Sequence, residues 1–182
     1  EKRQKTAALV TVNRDLARRV CAELLRFGIK ADDSGGAPLA NSPQAILFSA
    51  ILKCVFEPDD PVAILSVLKH PLALFSRERA DVSLAARTLE LVALRGVIGS
   101  VSALTLYGRF ELSLRDAQSA ERRPSWDKRV RNEHLEGARS LGAALREALV
   151  PLAALAQGDA RLSITQVVPA SVTAFEAIGR AA

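Results

Sequence analysis

Between residues 131 and 156, Leu135, Ala138, Gly142, Leu145, Leu149, Leu152 and Ala156 follow one another in steps of three and four. That spacing puts all seven on one face of a helix packed along its length. A segment this long and regular constrains the chain to helix-on-helix packing over much of its length. Pro151 interrupts the run; a proline in a helix interior costs about 3 kcal/mol, which predicts a kink or break near Glu147.

Other segments after residue 42 also read as helices. Residues 43–56 are strongly apolar (AILFSAILKCVF after Pro43-Gln44) and too long for a strand. Asp59-Asp60-Pro61 is a start signal, with Asp60 as cap and Pro61 in the first helical position, and that helix should halt before Pro71. Residues 82–95 form a further helix closed by Gly96, with Leu84, Thr88, Leu91 and Val92 on one face; a shorter one covers residues 101–110. Residues 115–127 are polar, contain Pro124 and read as an exposed loop. The last helix has two candidate starts, a capping box at Ser163 and Gln166 or the first-turn preference of Pro169, and ends near Gly179.

The N-terminal 33 residues read differently. Residues 6–12 (TAALVTV) are short, apolar and β-prone, as in a strand buried on both faces. Asn13 can cap the next helix, and Asp15 suits its positive end. Leu16, Val20, Leu24 and Phe27 share a face, Gly28 is placed to end the helix in the left-handed conformation, and residues 29–32 suggest a second strand. The expected fold is therefore α/β to mainly α. An N-terminal β-α-β unit of a parallel sheet (residues 1–42) precedes a helical bundle (residues 43–182). One helix covers only one face of such a sheet, and two strands make no stable sheet unaided. The missing strands are expected on sequence outside this chain, in preference to cover by the following helices.

Composition bounds the function classes. Of 182 residues, 49% are hydrophobic and 25% charged, the balance of a globular protein and not of a disordered one. No apolar run approaches the roughly 18 residues needed to span a bilayer, so a cytoplasmic location without membrane contact is expected. Methionine is absent and the first residue is Glu1. That is expected of a processed chain, of an excised piece, or of a chain whose modified methionines go unwritten. The net charge of +5 suits a polyanion partner only weakly. Cys21 and Cys54 sit among apolar residues far from His70 and His134, which favours buried structural thiols over a zinc site or redox role.

Chemistry-bearing patterns are sparse. Asp32-Asp33 and Asp59-Asp60 are carboxylate pairs, but neighbours on one extended segment point apart, and a metal site needs carboxylates converging from several segments. His70 sits where a helix C-terminus would use it to bond free carbonyls. Gly35-Gly36 matches neither GxxxxGK[ST] nor GxGxxG. The densest charged patch holds Arg122, Arg123, Lys128, Arg129 and Arg131 around the only tryptophan, Trp126. Such cations neutralise phosphates and a tryptophan stacks on an unpaired base, although a solvated loop anchored by Trp126 is the plainer reading. The basic helix face of Arg18, Arg19 and Arg26 has the same two readings.

The stretch TAALVTVNRDLARRVCAELLRFGIKADDSGGAPLANSP resembles the start of the second motor domain of UvrD-like superfamily 1 helicases. The ordered runs ALVTVNRDLARRV, GIKADDSGGAPL and ILSVLKHPLAL are similar to AddB-like subunits, of the alphaproteobacterial type, of AddAB helicase–nucleases. LAARTLELVALRG and SVTAFEAIGR also suit that family's helical insertion. The match is best over residues 6–75. The resemblance implies an internal, non-catalytic helicase-like segment of a DNA double-strand-break repair complex. Its partners would be DNA with broken ends and an AddA-like subunit. ATP, magnesium and an iron–sulfur cluster would belong to other parts of the complex, none to this segment. It also makes Asn13 and Arg14 candidates for DNA or phosphate contact. The alternative is a helical protein–protein interaction module with no direct DNA role; a small stand-alone enzyme is the remaining reading.

Overall fold

The computed structural model of the chain describes residues 6–36, 38–95, 100–121, 124–157 and 162–182. Helix accounts for 66% of it, and no strand occurs among the described residues. The expected β-α-β unit of a parallel sheet is thus corrected, and its physical reason is local. Residues 6–12 run without a ladder partner, leaving Val10 and Val12 fully exposed. The segment predicted as the second strand begins with an amide already engaged: Ile29 N–H donates to the Leu24 carbonyl and Gly28 N–H to that of Leu25, both at 3.0 Å. Those two bonds form a Schellman closure of the preceding helix, with Gly28 at φ +73°.

The chain divides into two units, Glu1–Pro38 and Leu39–Ala182. Within the first, the only helix among the described residues is α1 (Arg14–Arg26), started by Asn13 as predicted: its side chain accepts from the amides of Asp15 and Leu16 at 3.0 and 3.1 Å.

The second unit is a helical bundle. A 3-10 turn (Leu39–Asn41) leads to α2 (Pro43–Phe56), capped by Ser42, and α3 (Pro61–Leu68), where Asp60 accepts from Val62 N–H at 2.8 Å. The α3–α4 connection turns through Phe75 and Ser76, both in the left-handed region, and hangs on the chain's C-terminal end. Leu74 and Phe75 amides donate to the Ile178 carbonyl, and the Ser76 amide to that of Arg180, at 2.8–2.9 Å. Helix α4 (Arg79–Leu89) passes directly into a π-helical turn (Glu90–Leu94). The predicted stop at Gly96 lies outside the described residues.

Helix α5 (Leu106–Ser119) starts later and ends later than its pattern suggests. Ser102 and Thr105 bond each other's amides through their hydroxyls, which holds a turn where the helix was expected to begin. Its end runs into residues expected to be loop. Helix α6 (Asn132–Ala156) continues unbroken through Pro151, which is exposed while Leu149, Leu152 and Ala153 around it are buried. Packing of that face offsets the lost backbone bond. Helix α7 (Ile164–Gly179) begins at Ser163, leaving Pro169 inside it. The core is centred on Leu141, Leu145, Leu149 and Leu152 of α6, fully buried, with α4 and α7 packed most extensively on that helix.

Candidate interaction surface

In the first unit, Arg14 is the first residue of α1 and reaches across to the turn that follows the helix. Its Nη1 and Nη2 donate to Asp33 Oδ1 and Oδ2 at 3.0 and 2.7 Å, and Nη2 also donates to the Gly36 carbonyl at 2.6 Å. Asp33 Oδ1 additionally accepts from Gly35 N–H at 3.0 Å. The Arg14 hydrogen bond, then that of Gly35, holds the Asp33 carboxyl below the ordinary carboxylate range. Glycine at 35 leaves room for the guanidinium: a Cβ there would lie 2.1 Å from Arg14 Nη1, so a larger residue would push that side chain aside.

The two residues that the resemblance put forward for DNA contact are therefore engaged within the chain. The Asn13 side chain caps α1, and the Arg14 guanidinium closes the 33–36 turn. Of the basic helix face, Arg18 pairs with Asp15 and Arg26 with Glu23, both three residues apart and solvent-exposed. Such pairs contribute little.

The apolar side chains of this unit are the more informative feature. No side chain of α1 is buried. Leu16, Leu25 and Phe27 are exposed, the last at 78%, and Leu9, Val10, Val12 and Ile29 add exposed apolar surface on the flanking segments. Val20, Leu24 and Phe27 line a shallow depression of about 220 Å³ with Arg19 and Glu23. Among the described residues the unit has a single helix, and no second element of its own covers this face.

The basic patch before α6 is divided. Trp126 is half-buried and packs on the core of the second unit, while its carbonyl accepts from the amides of Arg129 and Val130. It acts as an anchor of the turn. Lys128 and Arg129 are exposed and form no salt bridge among the described residues. Arg131 is the residue before α6 and bonds Glu133 at 3.2 Å. Arg122 and Arg123 lie outside the described residues.

The carboxylate pairs do not converge. Asp60 caps α3, Asp59 accepts the Ser100 hydroxyl, Asp33 holds Arg14 and Asp32 is exposed. Among the described residues no group of three or more His, Cys, Asp or Glu is arranged to hold a metal ion. His70 is buried beyond the end of α3; its Nδ1 accepts from Leu72 N–H at 3.2 Å and its carbonyl from Arg79 Nη1 at 2.7 Å. Burial, and then the charge of Arg79, push its pKa down. Cys54 is buried and Cys21 half-buried.

Three long-range ion pairs among the described residues escaped the sequence reading. Arg14–Asp33 links residues nineteen apart, Lys69 pairs with Glu90, and Arg139 of α6 holds Glu111 of α5 at 2.5 Å. None follows a helical or strand spacing, so only the folded chain brings them together.

No helix among the described residues is long and apolar enough to cross a membrane. No family model matches the chain, and no curated protein or solved structure is significantly similar to it.

Proposed function

We propose that this chain is a non-catalytic interaction segment whose N-terminal unit offers an apolar surface to a protein partner. The observation that carries the reading is α1, a 13-residue helix with an apolar face and not one buried side chain. Helices of about this length are marginal in water without packing. Covering one large apolar side chain contributes about 1.5–3 kcal/mol, so a partner that buries Leu16, Leu25 and Phe27 gains several kcal/mol while fixing the helix.

The setting we propose is a DNA double-strand-break repair helicase–nuclease, with an AddA-like subunit as partner and a cytoplasmic location. What supports it is the ordered likeness of residues 6–75 to AddB-like subunits; the strand-bearing part of that likeness has no counterpart in the fold. A direct DNA role is the second reading, favoured by Lys128 and Arg129, two exposed cations without a salt bridge among the described residues.

Light scattering and binding of a fluorescent dye that reports apolar surface test the first reading. Dye binding or self-association that falls in the Leu25→Ser/Phe27→Ser variant is expected; a monomer that binds no dye contradicts it. Fluorescence anisotropy with labelled single-stranded and forked DNA tests the second, which requires affinity that drops steeply with salt.

A further inference from the structure

A groove lies in the second unit where α5 meets α6. Its larger part, about 540 Å³, is lined by Leu104, Thr105, Tyr107, Arg109, Leu112 and Arg146 together with Ser100, Val101 and Gly108. A second depression of about 180 Å³ shares Tyr107 and Arg146 with it and extends to Val150.

Two of its arginines have no ion pair among the described residues. Several other arginines of this bundle have work within the chain: Arg79 binds three backbone carbonyls, Arg139 two glutamates, Arg77 the Ser140 hydroxyl and Arg95 the Glu90 carboxylate. Arg109 and Arg146 have no salt bridge or side-chain hydrogen bond among the described residues. Arg109 Nε is moreover buried with no hydrogen-bond partner, a donor that structures rarely leave unused. Glu147 lines the smaller depression with Arg146, and Asp59 accepts the hydroxyl of Ser100, which lines the larger one.

We propose that this groove binds phosphate groups, and that its ligand is a single strand of nucleic acid. Guanidinium groups take phosphate oxygens in forked pairs. Two arginines lining one open groove suit a ligand with successive anionic groups better than one carboxylate. Tyr107, which lines both depressions, offers the ring on which a base stacks. The site is separate from the apolar surface of the N-terminal unit, so either can fail alone.

The test is anisotropy of a labelled oligothymidylate against the full chain, with phosphorus NMR of inorganic phosphate as a second arm. Arg146 is exposed, so Arg146→Gln leaves the fold intact; Arg109→Gln is checked for helicity by circular dichroism. Arg146→Gln and Tyr107→Ala are each expected to weaken strand binding on the order of tenfold. Arg146→Gln should also lower the salt slope by about 0.7, the share of one single-strand phosphate contact. Phosphate broadening that Arg146→Gln abolishes, without strand binding, supports the phosphate site with free phosphate as its source. Binding that survives Arg146→Gln but is lost in Lys128→Gln/Arg129→Gln overturns the proposal, as does failure of both ligands to bind.

Discussion

Arg14 and Asp33 are joined by two parallel hydrogen bonds of 3.0 and 2.7 Å, and this fork fastens the turn after α1 to the helix's first residue. Among the described residues of this unit none is buried, and the fork is the side-chain ion pair that spans the helix and the turn. It predicts that the Asp33 carboxyl titrates below the ordinary value for aspartate, about 3.9. Because the folded value is depressed, the contact stabilises above the unfolded value and is lost as pH falls through the folded one. Carbon-detected NMR should show that midpoint rising in Arg14→Gln, and in Gly35→Ala, whose methyl displaces the guanidinium. An unchanged midpoint in Arg14→Gln contradicts the assignment.

His70 makes the second unit acid-sensitive. Its folded pKa is pushed down by burial and by Arg79. Stability from the neutral imidazole is therefore present above the unfolded value of about 6.5 and falls away as pH drops through the folded value. Urea midpoints measured at about pH 7.5 and about pH 5.5 should differ more in the native chain than in His70→Gln. Equal differences would show that the acid response lies elsewhere.

The two thiols should separate by reactivity. Burial, the larger cause, and the charge of Asp60 raise Cys54 to about 12. The thiolate is the nucleophile, so Cys54 should resist a disulfide reagent at mildly alkaline pH, while half-buried Cys21 reacts. The raised value also means that stability falls as pH climbs from the unfolded value, about 8.5, towards the folded one. Two thiols reacting at equal rates in the native chain would refute the burial.

Leu145 lies at the centre of α6 and is fully buried. Leu145→Ala should cost about 2–5 kcal/mol, read from the shift of the denaturation midpoint. Leu25→Ala, on α1, should shift it by less than about 0.5 kcal/mol. Similar losses at both positions would place Leu25 in the folded core and remove the surface argued above.

The sequence is most legible where a local rule meets a local partner. Asn13, Asp60 and Gly28 do at the helix ends what their side chains or lack of one dictate, and Leu135–Ala156 spacing yields the face that α6 buries. Residues 6–12 show the limit. Their β-branched, apolar character is a preference for a pleated surface, not a source of one, and without a ladder neighbour the segment forms no strand. Pro151 shows the opposite case, in which Leu149 and Leu152 packing overrides a local penalty. Among the candidate contact residues, Trp126 packs on the core and Arg14 bonds Asp33, neither of which its place in the sequence shows. The groove residues Arg109 and Arg146 stand far apart in the chain and belong to no motif, so nothing in the order of residues joins them.

Amide hydrogen exchange resolved by residue tests the central claim most directly, that the first unit carries an apolar helix with no core of its own. Amides of Leu16–Arg26 should exchange orders of magnitude faster than those of Leu141–Leu149, which open only with the whole bundle. Protection of α1 equal to that of α6 in the isolated chain would contradict the account.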